Sequence, residues 1–391
     1  MNANQYQALV VGAGFSGAVL AERFASQLGW RVLVIDQRAH IGGNCFDEYD
    51  AHGVFIHRYG PHLFHTDNEA VWQYLSRFTT WHPYEHRVLA SIDGALVPIP
   101  FNLDSIERCF PAKDAAALIA SLRERFGDGA RVPILQLRKE ADPKLHDLAD
   151  FIYRKVFLNY TTKQWGVPPE EISPEVTARV PVVVSRDDRY FTDRFQAVPA
   201  DGYAKTISNI LKQDGIDVRL STPFSEIATF DAATGDVTLF GKAFAGLTIF
   251  TGMIDELFGF ARGELPYRSL SFDLQHLNQE QFQPATTVNY PNEQAYTRIT
   301  EFKHLTAQIC TGTTVAIEYP HAYSRAAGHT PYYPVFNQAS QEAYRDYAAR
   351  VAAFPRLVLA GRLAQYRYFD MDDAVANALD TFDALKGRLT S

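Results

Sequence analysis

A short glycine motif follows the first apolar run of this 391-residue chain and limits the folds that the chain can adopt. Gly12, Gly14 and Gly17 have the spacing GxGxxG and open a helical pattern, and a second apolar run ends at Asp36, nineteen residues after Gly17. Glycines in these places allow a tight turn and the close approach of a pyrophosphate to a helix N-terminus, whose free N–H groups attract anions. The motif therefore predicts a βαβ unit that binds a dinucleotide, with Asp36 accepting a hydrogen bond from a ribose hydroxyl.

The composition is that of a globular protein with more than one domain. Aromatic residues make up 13% of the chain, which excludes a disordered protein. A chain of 391 residues exceeds the size at which one hydrophobic core keeps growing, so we expect two or three domains. The formal net charge of −8 argues against nucleic acid as a partner. It does not exclude a small anion, because a few arginines and helix N-termini suffice to bind a phosphate.

The cysteines and the hydropathy of the chain indicate the cellular compartment in which the protein works. Cys45, Cys109 and Cys310 lie far apart and form no CxxC motif, so the sequence predicts neither disulfides nor a zinc site. No window of about 18 residues is apolar and free of charge, and the N-terminus enters a strand at once without a basic leader. We therefore expect a cytoplasmic protein with no membrane-spanning segment.

The patterns along the chain predict three interleaved domains in an α/β protein. A βαβ unit is followed by a helical stretch, a return to the first pattern, a β-rich stretch and a final strand and helix. Residues 180–200 lose periodicity and gain charge and proline, and we expect a mobile loop near 177–195. The predicted boundaries are 1–80, 203–235 and 350–391 for the dinucleotide-binding domain, 103–200 for the helical domain, and 81–102 and 236–349 for an antiparallel sheet domain.

Two further motifs indicate which dinucleotide is bound. Arg38, Gly42 and Gly43 follow the acidic strand end, and they resemble the arginine and double-glycine signature of FAD proteins of the glutathione-reductase and amine-oxidase kinds. Near the C-terminus a strand ends at Gly361, and a helix opens at Asp370. In such flavoproteins this helix directs its positive N-terminus at the pyrimidine end of the flavin. The resemblance implies FAD as the cofactor.

Several longer motifs resemble the bacterial UDP-galactopyranose mutase family, and the resemblance extends from about residue 8 to 385. They include YGPHLFHTDN, NYTTKQWG, AYTRITEFKH and GRLAQYRYFDMD. The resemblance implies a Rossmann-like FAD-binding domain interleaved with a helical insertion and an antiparallel sheet domain. It also implies a homodimer that interconverts UDP-galactopyranose and UDP-galactofuranose without net redox change. In that family N5 of the reduced FAD is the nucleophile that attacks the anomeric carbon.

Two arginines are the candidate catalytic residues. Arginine suits a diphosphate because its planar guanidinium donates two parallel hydrogen bonds. Arg298 lies in an alternating, strand-like segment that would hold it rigidly, whereas Arg179 lies beside the aperiodic segment and could move with it. The family resemblance implies that these two residues, one fixed and one mobile, bind the substrate diphosphate.

The resemblance also implies the remaining site residues, with Tyr160 stacking on uracil and other tyrosines donating to the diphosphate. His86 lies where several family members have asparagine near the sugar. The implied substrate residues are Phe157, Tyr160, Thr161, Trp165, Arg179, Tyr190, Arg298, Tyr332, Tyr368, Asp370 and His86. The implied cofactor residues are Gly12, Gly14, Phe15, Ser16, Gly17, Asp36, Gln37, Gly43, Asn44, His62, His65, Phe224, Gly361, Arg362, Asp370 and Met371.

Other interpretations remain open at this point. His62 and His65 form an HxxH pair, but no third ligand is spaced nearby, so we do not predict a metal site. A flavin oxidoreductase of the amine-oxidase kind would share the N-terminal motifs. A partner-binding relative of the Rab-escort and GDP-dissociation-inhibitor kind would share the fold, although the intact glycines and Asp36 argue against it.

Overall fold

A computed structural model describes residues 3–166 and 181–389 of the chain. The strands described are, in chain order, β1 (Ala8–Val11), β2 (Val32–Ile35), β3 (Asp47–Tyr49), β4 (Phe55–His57), β5 (Phe64–Thr66), β6 (Trp81–Pro83), β7 (Val88–Ile92), β8 (Ala95–Ile99), β9 (Arg131–Val132), β10 (Val182–Val183), β11 (Phe195–Pro199), β12 (Ile216–Arg219), β13 (Ala228–Phe230), β14 (Val237–Leu239), β15 (Lys242–Phe244), β16 (Leu247–Phe250), β17 (Tyr267–Leu277), β18 (Thr287–Asn289), β19 (Arg298–Glu301), β20 (Thr313–Ala322), β21 (Pro331–Pro334) and β22 (Leu357–Leu359).

The α-helices described in the same ranges are separated by loops and by short helical turns of other kinds. They are α1 (Phe15–Leu28), α2 (Glu69–Leu75), α3 (Leu103–Cys109), α4 (Ala112–Phe126), α5 (Ile134–Leu137), α6 (Pro143–Ile152), α7 (Asn159–Trp165), α8 (Tyr203–Leu211), α9 (Phe224–Ile227), α10 (Ile254–Leu257), α11 (Lys303–Thr306), α12 (Gln338–Val351) and α13 (Met371–Leu389). A π-helical stretch, Tyr153–Leu158, joins α6 to α7. None of the helices described is long and apolar enough to cross a membrane.

A five-stranded parallel sheet organises the dinucleotide-binding part of the chain. Its strand order is β12-β2-β1-β16-β22, and every pair in it is parallel. The central strands are short, mostly apolar runs that are buried on both faces, as is usual for a parallel sheet covered by helices. Phe24 of α1 packs against Phe382 of α13 in the core beside the sheet. The predicted Rossmann-like fold is confirmed.

The helical insertion has a core of its own. Apolar residues of α4 and α6, including Leu122 and Leu148, pack with residues of β7 and β8. Asn102 begins α3 as a capping box: its side chain accepts from the backbone N–H of Ser105, and the Ser105 hydroxyl accepts from the backbone N–H of Asn102, both at 3.0 Å. The insertion therefore starts at a defined residue directly after β8.

A seven-stranded sheet forms the third part of the protein, in the order β21-β17-β20-β19-β18-β7-β8. Its pairs are antiparallel except for β7 and β18, which run parallel with Val88 opposite Thr287. The exception has a simple cause, because β7 and β8 come from a distant part of the chain and no hairpin connects β7 to β18. The predicted antiparallel sheet thus includes one parallel pair.

The predicted domain boundaries stay a prediction. The boundary at 235/236 falls between β13 and β14 of a small three-stranded antiparallel sheet. The predicted mobile loop near 177–195 begins outside the described residues, and its described part contains β10 and the start of β11.

A histidine ion pair fixes the segment that precedes β11. His65 Nδ1 lies 3.2 Å from Asp193, and the His65 ring stacks on Phe191 at a centroid distance of 3.6 Å. Burial lowers the pKa of His65, but the close contact with the Asp193 carboxylate and its negative charge outweigh burial and raise the pKa above its usual value. Asp370 and Asp372 add to this effect.

The ion pair predicts a pH-dependent contribution to stability. Because the pKa of His65 is raised in the folded state, the stabilisation is complete below the unfolded pKa of about 6.5 and is lost as the pH rises through the raised value. We expect His65→Gln to lower the free energy of unfolding by about 1 kcal/mol near pH 6 and by much less near pH 9. Urea unfolding at both pH values measures the difference.

A matched control is Arg87→Gln, which removes an ion pair with Asp188 (2.9 Å) from the same segment. Arginine does not titrate in this range, so the loss in this control should be the same at both pH values. An equal loss at both pH values for His65→Gln would contradict the prediction.

Candidate active site

The first of two adjoining cavities lies at the carboxyl ends of the central parallel strands. It has a volume of about 710 Å³ and is reached by the ends of β1, β2 and β16. This is the edge at which open α/β sheets bind their ligands. Fifteen predicted cofactor residues line the first cavity: Gly12, Gly14, Phe15, Ser16, Gly17, Asp36, Gln37, Gly43, Asn44, His62, Phe224, Gly361, Arg362, Asp370 and Met371. His65 does not line it and lines the second cavity.

At three glycines of the first cavity a side chain would not fit. A Cβ on Gly12 would lie 2.0 Å from Thr251 Oγ1, and one on Gly17 would lie 1.9 Å from the Gly12 carbonyl oxygen. Gly12 also has a φ of 112°, which favours glycine. A Cβ on Gly361 would lie 2.7 Å from Ser16 Oγ. The backbone is therefore open to a ligand at the N-terminus of α1, as a dinucleotide requires.

Asp36 fixes the shape of the glycine turn. Its carboxylate accepts hydrogen bonds from the backbone N–H of Ala13 (2.8 Å) and of Arg38 (2.9 Å). Arg38 in turn donates to the side chain of Asn44 (2.8 Å). These bonds connect the first glycine motif to the second, and the Asp36 oxygens retain lone pairs that can accept from a ribose.

The second cavity, of about 480 Å³, lies between the helical insertion and one face of the seven-stranded sheet. Asn44, His62, Tyr332, Arg362, Asp370 and Met371 line both cavities. The structure brings together ten of the eleven predicted substrate residues here: Phe157, Tyr160, Thr161, Trp165, Tyr190, Arg298, Tyr332, Tyr368, Asp370 and His86. Arg179, the eleventh, lies outside the described residues.

Strand register explains why these residues share one face of the sheet. Successive residues of a strand alternate between the two faces, so paired residues of neighbouring strands point the same way. Asn289 pairs with Arg298, and Arg298 pairs with Glu318. On the adjacent strands β18 and β7, Thr287 pairs with Val88. The side of the cavity formed by Glu318, Arg298, Asn289 and Thr287 is named the polar wall below.

Arg298 is the cation of the polar wall. Its Nε donates to Glu318 Oε1 at 3.0 Å, and Glu318 is 2% exposed. Burial lowers the pKa of the Arg298 guanidinium, but the Glu318 carboxylate outweighs burial and the pKa is raised. Among the described residues Arg298 is thus held in place through its Nε–H group, and the other N–H groups of a guanidinium can donate to an anion.

Tyrosines surround Arg298 as neutral hydrogen-bond donors. Burial raises the pKa of Tyr160 and of Tyr333 far above neutrality. Tyr333 stacks on Tyr368 with ring centroids 5.7 Å apart, and Trp165 lies 6.3 Å from Tyr368. The hydroxyl groups of these tyrosines can therefore donate hydrogen bonds to an anion without adding charge to the cavity.

The two histidines of the HxxH motif have different environments. His62 Nδ1 donates to the Gly60 carbonyl (2.8 Å), and burial lowers the pKa of His62 to about 4, so it is neutral at pH 7. His65 is instead paired with Asp193. Among the described residues no three His, Cys, Asp or Glu side chains are placed to hold a metal ion.

Sequence reasoning missed several residues of the second cavity. Glu318, Tyr333, Asn289 and Thr287 all line it. Glu318 had a usable signal, because it is an acidic residue that directly follows the apolar run 315–317 of β20. Tyr333 had no such signal. Only the register of β21 shows which tyrosine of PYYP has its ring against the Arg362 guanidinium.

Comparisons with known sequences agree with this geometry. Residues 155–368 match the sequence model described as UDP-galactopyranose mutase, and residues 10–78 match that of the NAD(P)-binding Rossmann-like domain. The chain is 34% identical over 387 residues to a UDP-galactopyranose mutase of Mycoplasma pneumoniae, covering 97% of this chain and 96% of the relative. It is 32% identical over 379 residues to a dTDP-fucopyranose mutase of Escherichia coli, covering 95% and 96%.

Solved structures share the fold. A crystal structure of reduced UDP-galactopyranose mutase superimposes with a TM-score of 0.76 at 15% identity, covering 99% of this chain and 95% of the other. A putrescine oxidase superimposes with a TM-score of 0.53 at 11% identity, covering 98% and 99%. At these identities the structures support only the fold, whereas the sequence matches reach the level of family. The chain belongs to the UDP-galactopyranose mutase family of isomerases.

Proposed function

We propose that this chain interconverts UDP-galactopyranose and UDP-galactofuranose with reduced FAD as its cofactor. The observation that carries the proposal is Arg298, held by Glu318 in a cavity that adjoins a glycine-lined dinucleotide cavity. A nucleotide sugar in the second cavity would have its diphosphate at Arg298 and its sugar beside the cofactor. Family membership supports the same assignment.

The residues of the first cavity fit FAD. The N-terminus of α1, with Gly14 and Gly17, would bind the pyrophosphate, and Asp36 would accept from the adenosine ribose. The N-terminus of α13, which begins at Met371, lies where both cavities meet. Its positive end would stabilise negative charge on a reduced flavin.

The protein contributes binding, orientation and charge to the reaction. Reduced FAD, when bound, would supply nucleophilic chemistry toward the anomeric carbon without net redox change. Arg298 would stabilise the charge that develops on the departing diphosphate. Tyr190, Tyr332, Tyr333 and Tyr368 would donate hydrogen bonds to the same group. Arg179 stays in the proposal as the second, mobile arginine, on the family resemblance alone.

The far end of the second cavity suits a pyrimidine base. Phe157 and Tyr160 come from the helical insertion, and Phe157 belongs to one apolar cluster with Val88 and Ala90 of β7. A planar base can stack on an aromatic side chain in such a place. We propose that Tyr160 stacks on uracil and that Trp165 lines the sugar end.

A second candidate substrate has its own support. The chain is almost as similar to a dTDP-fucopyranose mutase as to a UDP-galactopyranose mutase, at 32% and 34% identity. The two substrates share the diphosphate that Arg298 would bind. They differ in the base methyl group, the ribose 2′-hydroxyl and the sugar 6-hydroxyl, so parallel assays distinguish them.

The decisive experiment incubates the dithionite-reduced protein with UDP-galactofuranose and separates the products by chromatography. We expect UDP-galactopyranose from the reduced protein and none from the oxidised protein. dTDP-fucofuranose is assayed in parallel. Activity that is confined to the oxidised protein, or hydrogen peroxide formed from an amine, would instead favour an oxidoreductase.

The proposal extends to the assembly and location of the protein. Family resemblance supports a homodimer in the cytoplasm, with a mobile loop near 177–195. Light scattering of the purified protein measures whether it is a monomer or a dimer, and limited proteolysis with and without UDP measures whether that loop becomes protected.

Removing the guanidinium of Arg298 should slow turnover. We expect Arg298→Ala to lower kcat/KM by at least about a hundredfold, because the departing diphosphate loses a charged donor. The effect is measured with the reduced protein. Arg345→Ala is the control, since Arg345 is exposed on α12 and donates only to the Gln341 carbonyl in the described residues. Near-normal turnover of Arg298→Ala would remove Arg298 from the proposed role.

Filling the glycine turn should prevent cofactor binding. A methyl group on Gly17 would overlap the Gly12 carbonyl, so we expect Gly17→Ala to purify with little FAD. The ratio of flavin absorbance to protein absorbance measures the occupancy. Gly387→Ala is the matched control, because a Cβ at Gly387 meets no atom within 4 Å. Full occupancy in Gly17→Ala would contradict the proposed pyrophosphate site.

A further inference from the structure

Arg268 is a buried arginine of the seven-stranded sheet that has no acidic partner among the described residues. It is the second residue of β17 and is 8% exposed. Burial lowers the pKa of its guanidinium, and no nearby charge adds to this effect. The guanidinium stays charged, because the ordinary pKa of arginine is above 12. A buried charge of this kind is retained only where other polar groups replace the water that it has lost.

The groups that replace the water are backbone carbonyls at the end of α7. Arg268 Nε donates to the Gln164 carbonyl oxygen and Nη2 donates to the Lys163 carbonyl oxygen, both at 2.9 Å. The last carbonyls of a helix have no partner within the helix, and they form the negative end of its dipole. The Gly166 N–H already donates to the Thr162 carbonyl (2.7 Å). Arg268 thus caps the two carbonyls that follow in the chain.

The backbone that leaves α7 passes directly against the guanidinium. Gly166 has a φ of 75°, in the left-handed region that is common where a helix ends. A Cβ on Gly166 would lie 2.8 Å from Arg268 Nη1. Residue 166 therefore suits glycine for two reasons, its own backbone conformation and the close approach of Arg268. The end of α7 and the start of β17 are in direct contact.

The helix that Arg268 caps carries three of the predicted substrate residues. Tyr160, Thr161 and Trp165 lie on α7 and line the second cavity. The π-helical stretch Tyr153–Leu158 precedes α7, so the regular α-helical hydrogen bonding of α6 does not continue into it. The orientation of α7 therefore depends on contacts of its own, and at its C-terminal end that contact is made by Arg268.

Strand register connects Arg268 to the opposite side of the second cavity. Arg268 pairs with Tyr333 of β21. Tyr333 lines the second cavity, and its ring centroid lies 6.2 Å from that of Trp165. Arg268 itself lines neither of the two cavities described. Its guanidinium is thus engaged by α7, and its influence on a ligand is indirect.

We infer that Arg268 is a positioning residue, which holds the C-terminal end of α7 against the sheet and thereby places Tyr160 and Trp165 for the nucleotide part of the substrate. The inference rests on the proposed function, in which Tyr160 stacks on uracil. Without the guanidinium two carbonyls of α7 would lose their donor, and the end of the helix would shift to find other partners.

The test measures the affinity of the oxidised, FAD-loaded protein for UDP by calorimetry, so it does not depend on turnover. Arg268→Met keeps the length of the side chain but removes its donors. We expect it to raise the Kd for UDP about tenfold. Binding is not abolished, because Lys163 still holds α7 through the Tyr290 carbonyl (3.0 Å). Arg268→Lys should recover part of the affinity, since an ammonium can donate to the same carbonyls.

Two further measurements separate positioning from a merely structural role. On UDP-galactofuranose with the reduced protein, Arg268→Met should raise KM as it raises the Kd and leave kcat within about threefold, because α7 binds the nucleotide equally in the ground and transition states. Loss of structure alone would lower the active fraction, and with it kcat, at an unchanged KM. In a Tyr160→Ala background Arg268→Met should change the Kd much less, because the stacking group is already absent.

Tyr347→Phe is the matched control. Tyr347 is buried in a different core, donates to the Gly263 carbonyl (2.8 Å) and lines neither cavity. The variant removes a buried donor elsewhere and should leave the Kd for UDP unchanged. Bound FAD, measured by absorbance, reports whether each variant is folded. If Arg268→Met does not retain FAD, Arg268→Lys provides the test, with an expected rise in Kd of about threefold.

The possible failures are distinguishable. A wild type that binds no UDP overturns the proposed function. A wild type that binds UDP, with the same Kd in Arg268→Met and Arg268→Lys, overturns the role of Arg268 and leaves the proposed function in place. A fall in kcat at an unchanged KM overturns that role as well, as does an undiminished effect of Arg268→Met in the Tyr160→Ala background.

Discussion

The ion pair between Arg298 and Glu318 determines where this protein can bind an anion. The two residues are direct partners on β19 and β20, so the backbone ladder fixes their separation. Glu318 is 2% exposed, and a carboxylate so buried needs partners, which Arg298 and the hydroxyl of Thr297 (3.1 Å) provide. Because Glu318 accepts from Nε of Arg298, the guanidinium has further N–H groups that make no side-chain hydrogen bond within the described parts of the chain and could bind a ligand. The other side chains of the second cavity surround this fixed donor.

The surroundings of Arg298 are polar but mostly uncharged. Burial keeps Tyr160 and Tyr333 protonated and His62 and His86 neutral at pH 7. These groups can hydrogen-bond a diphosphate and a sugar, but they do not balance two or more negative charges. Arg298 is itself balanced by Glu318. Arg131 and Arg362 also line the second cavity, and under the proposed function Arg179 would add its positive charge to theirs.

Local motifs made the dinucleotide-binding part predictable, whereas strand register hid part of the site. The GxGxxG turn has steric requirements that are met within a few residues, as the contact between Gly17 and Gly12 illustrates. Family motifs predicted eleven substrate residues, and ten of them line the second cavity. Such motifs identify residues that are far apart in the sequence but close together in the fold. Glu318 and Asn289 lie on Arg298's face of the sheet only because three strands pair in one register. No short sequence pattern records that pairing.

The second cavity is lined by residues of different chemical character, and under the proposed function this would favour one orientation of the ligand. Val88 and Ala90 of β7 belong to one apolar cluster with Phe157 of the helical insertion. Arg298 lies on the polar wall of the same cavity, and Asp370 lines both cavities. A base would lie against the apolar residues and a diphosphate at Arg298, because the reversed orientation would bury the sugar hydroxyls against apolar side chains. That mismatch would orient the sugar toward the cofactor.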